Sequence, residues 1–218
     1  MIQPDIDEIR RYLGMSKSAH DPVTDGMIQE CIQKLQAVIQ PVHLYAYYPL
    51  TIADDTFHFA SLCFSSKSLR RNMEGCKEIC VLACTIGIGA DRLIRKTELT
   101  SISEAAVMQA TAAAMAEAYC EHVNDIIKEE TAQRNLYCRP RFSPGYGDLS
   151  LTLQKDIFSL LQLTKNLGIT LSESLLMIPT KSITALIGIS DTCRSFTQNR
   201  CNTCNMQNTC NYRRKDEL

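Results

Sequence analysis

The C-terminal segment of the sequence carries four cysteines at a spacing that could hold a metal. They follow the pattern C-x7-C-x2-C-x5-C and are Cys193, Cys201, Cys204 and Cys210. Four thiolates can close a tetrahedral zinc site or hold an iron–sulfur cluster, and a C-x2-C pair supplies two ligands together. The surrounding residues are too polar to bury a core, so metal binding is the interpretation that would order this segment. A flexible tail, redox-active or inert, is the alternative.

A second candidate for chemistry is the proline- and glycine-rich loop at residues 139–148. Its prolines stiffen the chain, its glycines permit positive φ, and Pro144-Gly145 fits the central positions of a type II turn. Arg141 could pair bidentately with a carboxylate, and Tyr146 could supply a ring face and a hydroxyl. The loop therefore indicates a site for a polar ligand. A rigid surface turn with a solvated arginine is the alternative.

The glycine pair at Gly87-Ile88-Gly89 is a weaker signal. It follows a predicted strand and precedes a predicted helix, as a nucleotide-binding loop would. The third glycine of the dinucleotide-binding fingerprint is absent, however. The sequence therefore favours a structural turn at this point.

The segments around these motifs predict helices and strands that do not alternate regularly. Helices are predicted at 5–13, 24–40, 66–73, 91–96, 101–130 and 151–167, and strands at 42–48, 56–64, 78–85, 169–171, 175–178 and 182–189. The longest helix is rich in alanine and begins with a capping box formed by Ser101 and Glu104. Without a regular βα period, the pattern favours an α+β domain with a mostly antiparallel sheet.

Composition limits the architecture and the partners. A chain of 218 residues that is 45% hydrophobic can bury one core, so we expect one domain at 1–190 and a cysteine-rich C-terminal tail at 191–218. With 23 basic and 24 acidic residues, nothing indicates a nucleic-acid or membrane surface. The start lacks the features of an export signal and the longest apolar stretch is too short to cross a bilayer, so we expect a cytoplasmic protein.

The number of cysteines also argues against a framework of disulfides. The chain has 11 cysteines, so complete pairing would leave one of them over. A protein without an export signal is expected to stay in a reducing compartment. Thiols, thiolates or metal ligands are therefore the expected states, and the cysteines of the strand predicted at 78–85 are expected to be buried thiols.

Four segments, in a fixed order along the chain, form a recognisable pattern. They read Ala116-Glu117-Ala118-Tyr119-Cys120-Glu121, Arg141-Phe142-Ser143-Pro144-Gly145-Tyr146, Gly168-Ile169-Thr170-Leu171-Ser172-Glu173-Ser174 and Pro179-Thr180-Lys181-Ser182-Ile183-Thr184. Together they resemble the activation domain of cobalamin-dependent methionine synthase. Their order and spacing are more specific than any one motif, and they favour the ligand-binding interpretation of the loop.

The resemblance implies that the loop and the long helix bind S-adenosylmethionine. The residues implied to form this site are Glu117, Arg141, Ser143, Gly145 and Tyr146. An arginine and a carboxylate complement the carboxylate and the cationic groups of that ligand. Glu121, one turn beyond Glu117, is the second choice for the acidic contact. The sequence shows no clear counterpart of the family's N-terminal aspartate contact.

The resemblance also implies a function in methionine biosynthesis, as a separate activation subunit of a methyltransferase. Its partner would be the cobalamin-binding methionine synthase subunit, reduced by a flavodoxin or a ferredoxin-like electron donor. The chain would need no catalytic acid or base, because its task would be to position the methyl group, which is worth up to roughly 7 to 11 kcal/mol. One alternative is a metal-cluster electron-transfer protein that reduces a corrinoid protein without S-adenosylmethionine. Another is a structural docking subunit.

Overall fold

The fold is that of a computed structural model, which describes residues 1–15 and 21–193. Its helices are α1 (Ile6–Tyr12), α2 (Pro22–Gln36), α3 (Lys67–Asn72), α4 (Ile88–Glu98), α5 (Ile102–Gln133), α6 (Leu153–Leu161) and α7 (Leu163–Leu167). Its strands are β1 (Val42–Pro49), β2 (Thr51–Ala53), β3 (Thr56–Phe59), β4 (Leu62–Ser65), β5 (Glu78–Thr85), β6 (Tyr137–Cys138), β7 (Thr170–Leu171), β8 (Met177–Ile178) and β9 (Ser182–Ser190). Within the described ranges, no helix is long and apolar enough to cross a membrane.

A four-stranded sheet in the order β1-β5-β9-β6 forms the centre of the molecule. Strands β5 and β9 pair along their lengths, from Glu78 opposite Ile189 to Thr85 opposite Ser182. Strands β2, β3 and β4 form a second sheet, and β7 and β8 form a third. All named strand pairs are antiparallel, which confirms the predicted α+β domain with a mostly antiparallel sheet.

Side chains on the two faces of the central sheet pack against different helices. Toward α5, the buried cluster consists of Cys80, Leu82, Cys84, Cys120, Val123, Ile127, Ile187 and Ile189. On the other face, the larger cluster includes Val81, Ala83 and Leu186 together with Phe57, Leu69, Leu153 and Ile157. This division follows from the two-residue period of a strand, which sends alternate side chains of β5 to opposite faces.

The long helix α5 spans 32 residues and joins the sheet to the N-terminal helices. Its first half packs with α1, α2 and α4 through buried small residues such as Ala112 and Ala114, which permit close approach of neighbouring backbone. Ser101 caps the helix, because its Oγ accepts a hydrogen bond from the backbone N of Glu104 at 3.3 Å. The Glu104 carboxylate bonds to Lys34 Nζ at 2.8 Å. The N-cap predicted from the sequence is therefore present, and its glutamate also links α5 to α2.

The structure differs from the sequence-based prediction at two turns that lack glycine. The predicted strand at 56–64 is a hairpin of β3 and β4, because the chain reverses at Ala60 with φ of 49°. The predicted helix at 151–167 is divided into α6 and α7 by Gln162, which has φ of 48°. Left-handed conformations usually belong to glycine or asparagine, so neither turn had a sequence signal.

The glycine pair between β5 and α4 has a structural role, as the sequence favoured. Gly87 is the N-cap of α4 and has φ of 87°, a backbone conformation that residues other than glycine rarely adopt. A Cβ on Gly89 would lie 2.1 Å from the carbonyl oxygen of Val38. The glycines therefore let the start of α4 pack directly on the backbone that follows α2.

Asp148 fastens the end of the loop at 139–148 to the N-terminus of α3. Its carboxylate accepts hydrogen bonds from Ser66 Oγ at 2.6 Å, from Lys67 N at 2.8 Å and from Ser68 N at 3.0 Å. These bonds, led by the one from Ser66, hold the pKa of Asp148 well below its usual range. The loop is thus tied to the helix by a group that must stay ionised.

We predict that Gly89→Ala lowers the free energy of unfolding by about 1 to 3 kcal/mol, because the new methyl group must displace the Val38 carbonyl. Gly26→Ala is the matched control. Gly26 lies inside α2, and a Cβ there meets no atom within 4 Å. In the control variant, the free energy of unfolding should rise by about 0.5 to 1 kcal/mol, because alanine has a higher helix propensity than glycine. Chemical denaturation measures both, and equal effects of the two substitutions would contradict the close approach.

We predict that Asp148→Asn destabilises the protein at neutral pH, because the amide loses the charge and one of the acceptor oxygens. The folded pKa lies below the unfolded value of about 4, so this stability is full above pH 4 and disappears as the pH falls further. Melting temperatures of wild type and variant should therefore converge in acid. The control is Asp54→Asn in an exposed turn, and a constant difference across the pH range would disprove the assignment.

Candidate functional site

Arg141 owes its position to backbone pairing at the edge of the central sheet. Residues 137–142 run antiparallel to β9, first as strand β6 and then as an isolated bridge. At that bridge Phe142 N donates to Leu186 O at 2.9 Å, and Leu186 N donates to Phe142 O at 2.8 Å. The pairing holds Arg141 beside the middle of α5.

The guanidinium of Arg141 contacts three side chains of α5. Its Nη2 lies 3.3 Å from Glu117 Oε2 and 3.1 Å from Glu121 Oε2. Its Nη1 donates to Cys120 Sγ at 2.7 Å. Glutamates four residues apart lie on one helix face, so both carboxylates can reach the same arginine. The structure thus brings Arg141 of the loop together with Glu117 and Glu121 of α5.

The two glutamates differ in how firmly they are held. Glu121 also accepts hydrogen bonds from Asn124 Nδ2 and Lys128 Nζ, each at 3.0 Å. Burial opposes ionisation of Glu121, but these bonds and the charges of Lys128 and Arg141 outweigh it, and its pKa is lowered. Glu117 has its hydrogen bond to Arg141, and the two glutamates are similarly exposed, at 41% and 49%. Glu117 is therefore the carboxylate that a ligand can engage with less rearrangement.

Cys120, whose sulfur Arg141 contacts, is one of two neighbouring buried cysteines. Cys120 is fully buried, and its neighbouring thiol, together with burial, raises the pKa of Cys84 on β5. Cys80 and Cys84 are free and buried, as expected from their strand.

The turn after Arg141 has the predicted geometry. Tyr146 N donates to Ser143 O at 3.1 Å, and Gly145 has φ of 92°, so Pro144-Gly145 occupy the centre of a type II turn. The backbone N of Gly145 donates to the carbonyl of Leu149 at 2.9 Å. Gly145 therefore shapes the turn, while Tyr146 is 57% exposed.

A charged cavity of about 840 Å³ lies between α1, α5 and the loop. Its acidic lining residues are Asp5, Glu8, Glu117 and Glu121, and its basic ones are Arg11, Lys128, Arg139 and Arg141. Asp5 and Glu8 were not identified from the sequence. Asp5 is the N-cap of α1, where its Oδ1 accepts from Asp7 N at 2.9 Å, and an aspartate at a helix start is usually explained by capping alone.

A smaller cavity of about 300 Å³ lies on the other side of Arg141, beside α6 and the start of β9. It is lined by Glu117, Arg141, Ser143, Pro144, Tyr146, Gln154, Met177, Ser182, Ile183 and Thr184. Four of the five ligand-binding residues predicted from the sequence line this cavity, and Gly145 supports the turn behind it. Glu117, Arg141 and Tyr146 border both cavities, so one ligand could occupy the two together.

The predicted metal site lies mostly outside the described residues. Cys193 is the last described residue and is exposed, whereas Cys201, Cys204 and Cys210 fall beyond it. Among residues 1–15 and 21–193, no group of three or more His, Cys, Asp or Glu side chains could hold a metal ion. The zinc or iron–sulfur site and the boundary near residue 190 stay predictions.

Comparison with known proteins relates the fold to a solved structure. The crystal structure of the MetH reactivation domain bound to AdoHcy superposes with a TM-score of 0.65 at 17% identity. The similarity covers 88% of this chain and 76% of that one. At this level of identity the match shows a shared fold. No curated protein matches the chain.

Comparison with protein families gives a match over most of the chain. The vitamin B12 dependent methionine synthase activation domain matches residues 62–216, which include α5, the loop, β9 and the cysteine-rich segment. Arg141, Glu117 and the turn at Pro144-Gly145 all fall within the match. The chain therefore belongs to the family of activation domains of vitamin B12-dependent methionine synthase.

Proposed function

We propose that this chain binds S-adenosylmethionine and presents its methyl group to a corrinoid held by a partner methionine synthase subunit. Membership of the activation-domain family supports the partner and the reaction. The AdoHcy bound in the structurally similar MetH domain supports the ligand. The observation that carries the proposal is the Arg141–Glu117 ion pair, which lies where the two cavities meet.

The ion pair suits a ligand that carries both signs of charge. Arg141 is already neutralised by Glu117 and Glu121, so a simple anion that displaced a glutamate would leave a partly buried carboxylate without its partner. A zwitterion avoids this cost, because its carboxylate can take the arginine while its cationic groups take the released glutamate. S-adenosylmethionine has a carboxylate, an ammonium and a sulfonium, and it meets this requirement.

The charged cavity fits the amino-acid end of the ligand. We place the ligand carboxylate on Arg141 and its ammonium toward Asp5 and Glu8, the two carboxylates that α1 brings to the cavity. The sulfonium then lies near Glu117 and Tyr146, which the two cavities share. A carboxylate and an aromatic ring face both stabilise a neighbouring cation.

The residues of the chain act by binding and orienting the ligand. A corrinoid on the partner, reduced by a flavodoxin or ferredoxin-like donor, would supply the cobalt that takes the methyl group, and AdoHcy would be left on this chain. Positioning two reactants can account for up to roughly 7 to 11 kcal/mol of a barrier. The rigid pairing of residues 137–142 with β9 provides the fixed frame that such positioning needs.

We predict that Arg141→Ala weakens AdoHcy binding by about 2 to 4 kcal/mol, because the ligand loses a charge-assisted partner and two glutamates lose their arginine. Isothermal titration calorimetry on the whole chain measures the effect. The control is Arg134→Ala. Arg134 makes a similar bidentate pair with Glu78, at 2.8 and 2.6 Å, away from both cavities.

The control variant should bind with wild-type affinity. Equal affinities of wild type and Arg141→Ala would remove Arg141 from the site. A wild-type chain that binds neither AdoHcy nor S-adenosylmethionine would refute the proposed function itself.

We predict that Glu117→Gln weakens S-adenosylmethionine binding by about 1 to 2 kcal/mol, and more than Glu121→Gln does. The reason is that Glu121 is held by Asn124 and Lys128, whereas Glu117 can turn to the ligand. Calorimetry gives the affinities, and circular dichroism shows that the helix content is unchanged. A larger loss from Glu121→Gln would move the acidic contact one turn along α5.

A further inference from the structure

Two residues that line the smaller cavity each carry a buried polar atom with no hydrogen-bond partner among the described residues. The two atoms are Oε1 of Gln154 and Oγ1 of Thr184. The two residues are 6% and 2% exposed, and both line the cavity. Leaving such a group unsatisfied costs about 1 to 3 kcal/mol, so native proteins usually pair it.

The surroundings of these two atoms are otherwise well satisfied and largely apolar. Gln154 lies in the first turn of α6, on the face that buries Leu153 and Ile157 in the core. The nearby hydroxyl of Ser182 already donates to Pro179 O at 2.7 Å. Among the described residues that line the smaller cavity, Gln154 and Thr184 are therefore the ones that carry a buried unpaired atom.

The two cavities differ in the chemistry of their walls. Of the residues that the structure describes, eight charged side chains line the larger cavity, whereas those lining the smaller one are neutral apart from the shared Glu117 and Arg141. The charged end of a ligand therefore belongs in the larger cavity. An uncharged group with hydrogen-bonding edges belongs in the smaller one.

We propose that Gln154 and Thr184 recognise the nucleobase of the ligand in the smaller cavity. This inference rests on the proposed function. A glutamine amide offers an acceptor beside a donor, and adenine offers its N6 amino donor beside a ring-nitrogen acceptor, so the two can pair bidentately. Gln154 Oε1 accepts from the N6 amino group, and the Thr184 hydroxyl donates to another ring nitrogen.

The arrangement makes the site selective for adenine through its N6 amino group. A base without that group would leave Gln154 Oε1 buried and without a partner among the described residues. Sites that hydrogen-bond a ligand group discriminate against analogues lacking it for this reason. Gln154 and Thr184 are thus specificity residues, while Arg141 and Glu117 hold the amino-acid end.

The test compares AdoHcy with its analogue in which purine riboside replaces adenosine, so that only the N6 amino group is missing. Both ligands are titrated calorimetrically into the wild-type chain, Gln154→Met, Thr184→Val and the control Gln33→Met, which changes an exposed glutamine of α2. Wild type and control should bind AdoHcy about tenfold more tightly than the analogue. In Gln154→Met this preference should fall below about twofold.

Thr184→Val should weaken both ligands to a similar extent, because the ring nitrogen is common to them. The unfolding temperature of ligand-free Gln154→Met should be unchanged or raised, since the substitution removes a buried unpaired amide. A purely structural role of Gln154 would instead lower that temperature and leave the N6 preference intact.

The possible failures are distinguishable. If wild type binds AdoHcy and Gln154→Met keeps the full N6 preference, the nucleobase assignment is overturned and the proposed function stands. If Thr184→Val binds both ligands as wild type does, Thr184 has no part in recognition and that half of the assignment is overturned. If wild type binds neither ligand, the proposed function fails and the nucleobase assignment fails with it.

Discussion

The pairing of residues 137–142 with β9 is the constraint on which the candidate site depends. An arginine on a free loop would spread over many conformations, but here the backbone on either side of Arg141 is hydrogen-bonded to the sheet. Buried Arg139 reinforces this edge, since its guanidinium donates to Thr192 O at 3.1 Å and Glu74 O at 3.3 Å. Pro140, between Arg139 and Arg141, is tolerated because an edge strand can lack one backbone N–H. The sheet therefore fixes the guanidinium relative to α5.

Fixing an arginine against a helix creates an electrostatic problem that α5 solves with two carboxylates. The Arg141 side chain is 20% exposed, and burial alone would oppose its charge. Glu117 and Glu121 offset that cost, and the contacts with Cys120 and these glutamates raise the pKa of Arg141. An ion pair at a cavity wall is a poor source of stability but a suitable exchange site, because a zwitterion can replace its contacts without leaving any charge unpaired.

Local features of the fold were predictable from the sequence, and contacts between distant segments were not. The Ser101 cap and the Pro144-Gly145 turn depend on neighbouring residues and were predicted correctly. Glu117 and Arg141 were linked by family resemblance, since no periodicity joins positions on α5 and the loop. Asp5 was missed because the packing of α1 on α5 brings it to the cavity. A polar residue on the buried face of α6 was the one available signal for Gln154, and it indicated no ligand.

The placement of the two cavities determines where a bound ligand would be open to a partner. One is walled by α1 and α5 and the other by α6 and the start of β9, so a ligand that fills both passes Arg141 and Glu117. Its two ends then lie in the two cavities, and its middle lies beside exposed Tyr146. In S-adenosylmethionine the sulfonium stands between the amino acid and the nucleoside. On the proposed function, the fold would thus hold the groups that identify the ligand in the two cavities and leave the methyl group near exposed Tyr146.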